Sequence, residues 1–168
     1  MRHVISAVVE NKPGVLSHIA EMFSSRGYNI DSLSVNSTEK EQISRITLFV
    51  EGDDTILEQV RKQLGKIIDV LKVQDFSKED YVQRETMLAK VTAKPGKRTE
   101  LFQIAEVFDG KIVDIAAKDL VMEITGPEGK IEALIEILRP YGIKEVARTG
   151  CIAMARSPKG SAAPGRRT

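Results

Sequence analysis

Residues 3–37 read HVISAVVENKPGVLSHIAEMFSSRGYNIDSLSVNS, and their hydrophobic period changes twice. His3 to Glu10 is a run rich in Val and Ile, of strand character, that stops at the turn signal Asn11-Lys12-Pro13-Gly14. From Val15 the apolar residues Leu16, Ile19, Ala20 and Phe23 recur at helical spacing, while Ser17, His18, Glu21 and Ser25 take the opposite face. Arg26 puts a positive charge where a helix dipole favours one, and Gly27 tolerates the left-handed backbone that ends many helices. Tyr28 to Ser37 returns to extended character through Ile30, Leu33 and Val35.

Working outward, Ile46, Leu48 and Val50 alternate as a half-buried strand. A second helix starts near Asp53-Asp54-Thr55, good N-cap residues, and carries Ile56, Leu57, Val60 and Leu64 on one stripe. Val70, Leu71 and Val73 then close a unit of order βαββαβ, the ferredoxin-like pattern. Residues 77–85 are polar without clear periodicity and read as a linker. The pattern then repeats: a strand from Thr86 to Ala93, Lys94-Pro95-Gly96, and a helix through Leu101, Ile104, Ala105 and Phe108 that ends at Asp109-Gly110. Two strands follow, Ile112 to Ala116 and the alternating Leu120, Met122 and Ile124. A helix through Ile131, Leu134, Ile135 and Leu138 stops at Arg139-Pro140, and Ile143 to Met154 supplies the last strand. Lys12-Pro13-Gly14 recurs as Lys94-Pro95-Gly96, and Ile19-Ala20-Glu21-Met22-Phe23 as Ile104-Ala105-Glu106-Val107-Phe108. The second interval is longer than the first, which places an insertion at the start of the second copy's helix. The expected organisation is α+β, two tandem ferredoxin-like units at 1–76 and 86–156, with a tail at 157–168 too poor in apolar residues to fold.

Composition narrows the function. Hydrophobic residues at 42% and charged residues at 29% suit a globular protein. With 25 basic and 24 acidic residues the chain offers no electrostatic footprint for nucleic acid or an anionic membrane. The strands also lack the aromatic cluster with which ferredoxin-like folds stack RNA bases. Cys151 is the single cysteine, which forbids an internal disulfide and fits a reducing compartment. No apolar run approaches the roughly 18 residues of a membrane span, so a cytoplasmic protein is expected.

Catalytic and metal readings find little support. His3 and His18 have no second ligand near them in sequence, and Cys151 reads as a packed small hydrophobe. No GxGxxG, GxxxxGK[ST], GxSxG or HExxH occurs. A small phosphate-cleaving enzyme of the same fold would need a Gly- and Arg-rich loop after the first strand, and this loop is NKPG. That loop carries a different chemistry. The first amides of the following helix, near Gly14, Val15 and Leu16, have no intrahelical partner and suit a carboxylate. Gly14 allows close approach, Pro13 loses nothing at a helix start, and Asn11 offers both a donor and an acceptor to a zwitterion. The same residues would equally make a plain strand–helix turn, and the residues alone leave both readings open.

Asn11-Lys12-Pro13-Gly14-Val15-Leu16, followed by Phe23 and Arg26-Gly27-Tyr28-Asn29-Ile30-Asp31-Ser32-Leu33, resembles the start of an ACT domain. With Ile46-Thr47-Leu48 and Val73 it resembles more closely the small regulatory subunits of acetolactate (acetohydroxyacid) synthase, up to about Arg156. The resemblance implies an N-terminal ACT domain that pairs with a second copy and binds valine between the two copies. Asn11, Gly14, Val15 and Leu16 of one chain would hold the ligand, and Asn29 and Ile30 of the other would close the site. It further implies no catalysis by this chain, but activation and valine feedback inhibition of a separate catalytic subunit in branched-chain amino-acid biosynthesis. That partner would carry thiamine diphosphate, magnesium and FAD. An ACT-type amino-acid sensor serving another enzyme or regulator is the alternative.

Overall fold

The computed structural model describes residues 2–77 and 79–157. The first unit runs β1 (Arg2–Glu10), α1 (Val15–Ser25), β2 (Ile30–Ser37), β3 (Ile43–Glu51), α2 (Asp54–Leu64) and β4 (Val70–Asp75). Its antiparallel sheet has the order β2-β3-β1-β4, with both helices on one face. Ile5, Ala7 and Val9 of β1 and Ile46, Leu48 and Val50 of β3 point to that face. There they bury Ile19 and Phe23 of α1 and Leu57, Val60 and Leu64 of α2. Period-two strands meeting period-3.6 helices thus close the first core as expected. Asp53 caps α2 by accepting the Ile56 amide at 2.8 Å.

The second unit runs β5 (Tyr81–Thr92), α3 (Arg98–Val107), β6 (Lys111–Ile115), β7 (Asp119–Gly126), α4 (Glu128–Leu138), β8 (Ile143–Arg148) and β9 (Ile152–Ala155). Its order β6-β7-β5-β8 matches the first sheet, so the two units are one fold repeated. A turn of 3-10 helix, Pro95–Lys97, occupies the insertion read between the two copies. The left-handed residue after α3 is Asp109, at φ 48°, not Gly110. Gly110 is small for another reason: a Cβ there would lie 2.8 Å from Ile124.

Two expectations change. Residues 81–85, read as part of the linker, begin β5, because Tyr81 to Arg84 pair with Ala155 to Ile152. That pairing spans most of the second unit and leaves no local pattern. The last strand is interrupted at Thr149–Cys151, where the chain crosses the first unit. A Cβ on Gly150 would lie 1.9 Å from the Leu33 carbonyl oxygen, and the Cys151 amide donates to Ser32 Oγ at 3.0 Å. Cys151 and Ala153 then pack with Val4, Phe49 and Phe76 on the sheet face away from the helices. The Phe76 and Tyr81 rings meet beside them at 5.2 Å, tilted by 45°. Among the described residues no helix is long and apolar enough to cross a membrane. The tail expected to stay unfolded lies, from residue 158 on, outside the described residues.

Candidate functional site

The loop after β1 is pinned from two sides. The Glu10 amide donates to Asp69 O at 2.9 Å and the Asn11 amide to Gln42 O at 2.7 Å. Asn11 Nδ2 donates to Glu41 O at 2.7 Å, so its side-chain oxygen stays available as an acceptor. Lys12 Nζ donates to the Glu10 carboxylate. That bond holds the Glu10 carboxyl below the usual carboxylate range and lifts the Lys12 ammonium above its own. Lys12 is exposed and Glu10 half-buried.

Gly14 is the N-cap of α1, with φ 89°, and no side chain caps the helix. The Val15 amide reaches back to Lys12 O at 3.5 Å, and the first full helical bond is His18 N–H to Gly14 O at 2.9 Å. Between them the amides of Leu16 and Ser17 have no acceptor among the described residues, and the first turn holds no acid. Nothing lies within 4 Å of a Cβ built on Gly14. Two amide donors, the positive end of a helix and open approach over a glycine together suit one carboxylate. Beside them Val15 is buried, while Leu16 keeps 39% of its surface in solvent and offers an aliphatic wall.

Asn29 and Ile30 are placed elsewhere. Helix α1 ends in a Schellman motif: Tyr28 N–H donates to Phe23 O at 3.0 Å and Gly27 N–H to Ser24 O at 3.1 Å. Gly27 has φ 67°, and the Phe23 and Tyr28 rings meet edge to face at 6.2 Å. The chain therefore re-enters the sheet at the end opposite Asn11. Glu10 lies opposite Ile43 in the ladder, whereas Ile30 lies opposite Val50. Seven residues of strand separate those positions, roughly 23 Å. Asn29 Nδ2 donates to Asp31 Oδ1 at 2.6 Å, on an exposed edge. Within one chain, then, Asn11, Gly14, Val15 and Leu16 come together and Asn29 and Ile30 do not join them.

Sequence reasoning missed the main-chain clamp of Glu41 and Gln42 on Asn11, which carries no side-chain signal. It also missed Gly150, although a glycine inside a strand pattern is a mark of close approach. Of the titratable bystanders, His18 is exposed, and His3 is buried with Nε2 3.1 Å from Gly52 O. Among the described residues no group of three or more His, Cys, Asp or Glu is placed to hold a metal ion.

Two family models match the chain: an acetohydroxyacid synthase small-subunit-like ACT domain at residues 5–72 and the small subunit of acetolactate synthase at residues 84–157. The acetolactate synthase small subunit of Bacillus subtilis is 49% identical over 158 residues, covering 93% of this chain and 91% of its own. That of Aquifex aeolicus is 48% identical over 156 residues, covering 92% and 81%. The crystal structure of the acetolactate synthase small subunit from Thermotoga maritima superposes with a TM-score of 0.85 at 39% identity, over 94% of this chain and 98% of that one.

Proposed function

The chain belongs to the acetolactate synthase small-subunit family, and from that premise we propose that it activates a catalytic subunit and makes it sensitive to valine. In this reading residues 1–76 bind the amino acid and pair with a second copy, and the protein works in the cytoplasm beside its partner. The observation that carries the ligand site is the start of α1, where two unpaired amides face open space over Gly14. Valine's carboxylate accepts from Leu16 and Ser17, the Asn11 side-chain oxygen accepts from its ammonium, and its isopropyl group lies on Leu16.

Strand topology supports the second half of the site. Among the described residues strand β2 pairs only with β3, so its outer edge is open, with Leu33 and Val35 partly exposed beside it. Two copies that join these edges antiparallel about a two-fold axis form one continuous sheet. The start of β2 in one copy then lies beside the end of β2 in the other. That end is the Asn11 end, because Ser37 lies opposite Ser44 and Ser44 opposite Val9. Asn29 and Ile30, remote from Asn11 in their own chain, reach it in the neighbour. The test is an assay of the catalytic subunit alone, with this chain, and with this chain plus valine. Activation that valine reverses is expected. A catalytic subunit indifferent to the chain would refute the reading.

A further inference from the structure

The face of the first sheet turned away from α1 and α2 is covered over only part of its length. Strand β9 and the start of β5 form a ribbon whose inner side, Cys151 and Ala153, is buried on Val4, Phe49 and Phe76. The ribbon's other side carries Val82, Arg84, Ile152 and Met154, paired in register as Val82 with Met154 and Arg84 with Ile152. With the half-buried Ser34 and Arg45 of the first sheet, and Thr47 buried beside them, these residues line a cleft of about 620 Å³ between the two units. Ile152 and Met154 are 57% and 63% exposed and, with Val82 opposite Met154, form a contiguous apolar patch on one side of the ribbon.

The charge of the cleft says what it takes. Arg84 donates only to a main-chain carbonyl, Gln83 O at 2.7 Å, and neither it nor Arg45 forms an ion pair among the described residues. Glu39 at the rim is the one carboxylate lining it among the described residues. A second copy of this chain would bring the same two arginines, like charge to like. Ser34, Asn36 and Ser37 of β2 also line the cleft, so it borders the edge that pairs two copies. An occupant that is both aliphatic and acidic matches instead. The main chain adds to this, since among the described residues β9 pairs with β5 alone and leaves its other edge for an extended segment.

We propose that this cleft docks an extended, acidic and aliphatic segment of the acetolactate synthase catalytic subunit; the proposal rests on the activating role given above. Its position couples the two events of regulation. Strand β3 carries Ile46 and Leu48 in the core beneath α1, and Arg45 and Thr47 on the other face in the cleft. A segment held there touches the strand that supports the valine-binding helix.

The test titrates the catalytic subunit from the same organism with the full chain, as wild type, as Arg45→Glu/Arg84→Glu and as Met154→Asp. The concentration giving half-maximal activation should rise about tenfold or more in both variants, and the Arg45→Lys/Arg84→Lys control should stay near wild type. Valine binding to the isolated chain by calorimetry, and its sedimentation, should not change. Activation curves that coincide with wild type would overturn the proposal. So would variants that lose self-association, since the cleft would then be an interface between copies. Wild-type chain that fails to activate refutes the regulatory reading itself, whereas wild-type activation shared by both variants refutes only the cleft.

Discussion

Two glycines separate the kinds of information a single residue holds. Gly14 has φ 89° and open space around its missing Cβ, so any side chain there is strained by roughly 1–2 kcal/mol but not blocked. Gly14→Glu should therefore fold, and its carboxylate should occupy and repel the site of the ligand's own. Loss of valine inhibition with activation of the catalytic subunit largely intact is expected in an enzyme assay. Retention of wild-type valine sensitivity would mean that the ligand lies elsewhere. Gly150 is the reverse case, with no left-handed φ but a Cβ position 1.9 Å from the Leu33 carbonyl. Both partners are backbone, so neither can rotate away, and Gly150→Ala must push the two units apart. A cost of about 3 kcal/mol is expected from overpacking. Thermal unfolding should show it as a fall of roughly 6–12 °C, and an unchanged midpoint would contradict the contact. Gly14 was legible in the sequence because Pro13 and the following helical period frame it. Gly150 was not, because its reason is a strand over a hundred residues away.

Elements whose boundaries are set by neighbouring residues were legible, and those set by distant pairing were not. Helix α1 begins where the period changes at Val15 and stops at Ser25, two residues before Gly27, whose positive φ and Schellman bonds follow from the residue types Arg26-Gly27-Tyr28. Strand β7 follows from the alternation of Leu120, Met122 and Ile124, each buried. The start of β5 has no such signature: Tyr81 to Arg84 are strand because Ile152 to Ala155 lie beside them. Likewise the candidate site was legible as a helix start with free amides, but not the separation of Asn29 from it, which depends on strand register. Helix α2 offers a direct check on the local kind of information. Asp53→Ala removes the bond to the Ile56 amide and should cost about 1 kcal/mol. That appears as a lowering of roughly 2–4 °C in thermal unfolding, with valine response retained. A variant with normal stability but altered valine response would show that Asp53 does more than cap a helix.

At the scale of the molecule, one βαββαβ unit occurs twice, and the two copies are tied together by the strand crossing at Thr149–Cys151. Among the described residues the repetition leaves corresponding edges, β2 and β6, open in the two sheets, and the first is the edge proposed to pair between chains. In the proposed dimer the amino-acid site is shared by two chains, because Asn11 to Leu16 and Asn29 sit at opposite ends of each sheet. A ligand that binds only the paired state favours it by mass action, so valine and self-association must each strengthen the other. Asn29→Ala should weaken both the bound state and this linkage, by roughly 1–3 kcal/mol where a buried polar partner is left unpaired. Sedimentation velocity across a dilution series, with and without valine, on wild type and Asn29→Ala, measures this linkage. Valine should hold wild-type dimers together to lower concentration, and the variant should gain little. Wild-type chain that sediments as a monomer while binding valine with undiminished affinity would contradict it.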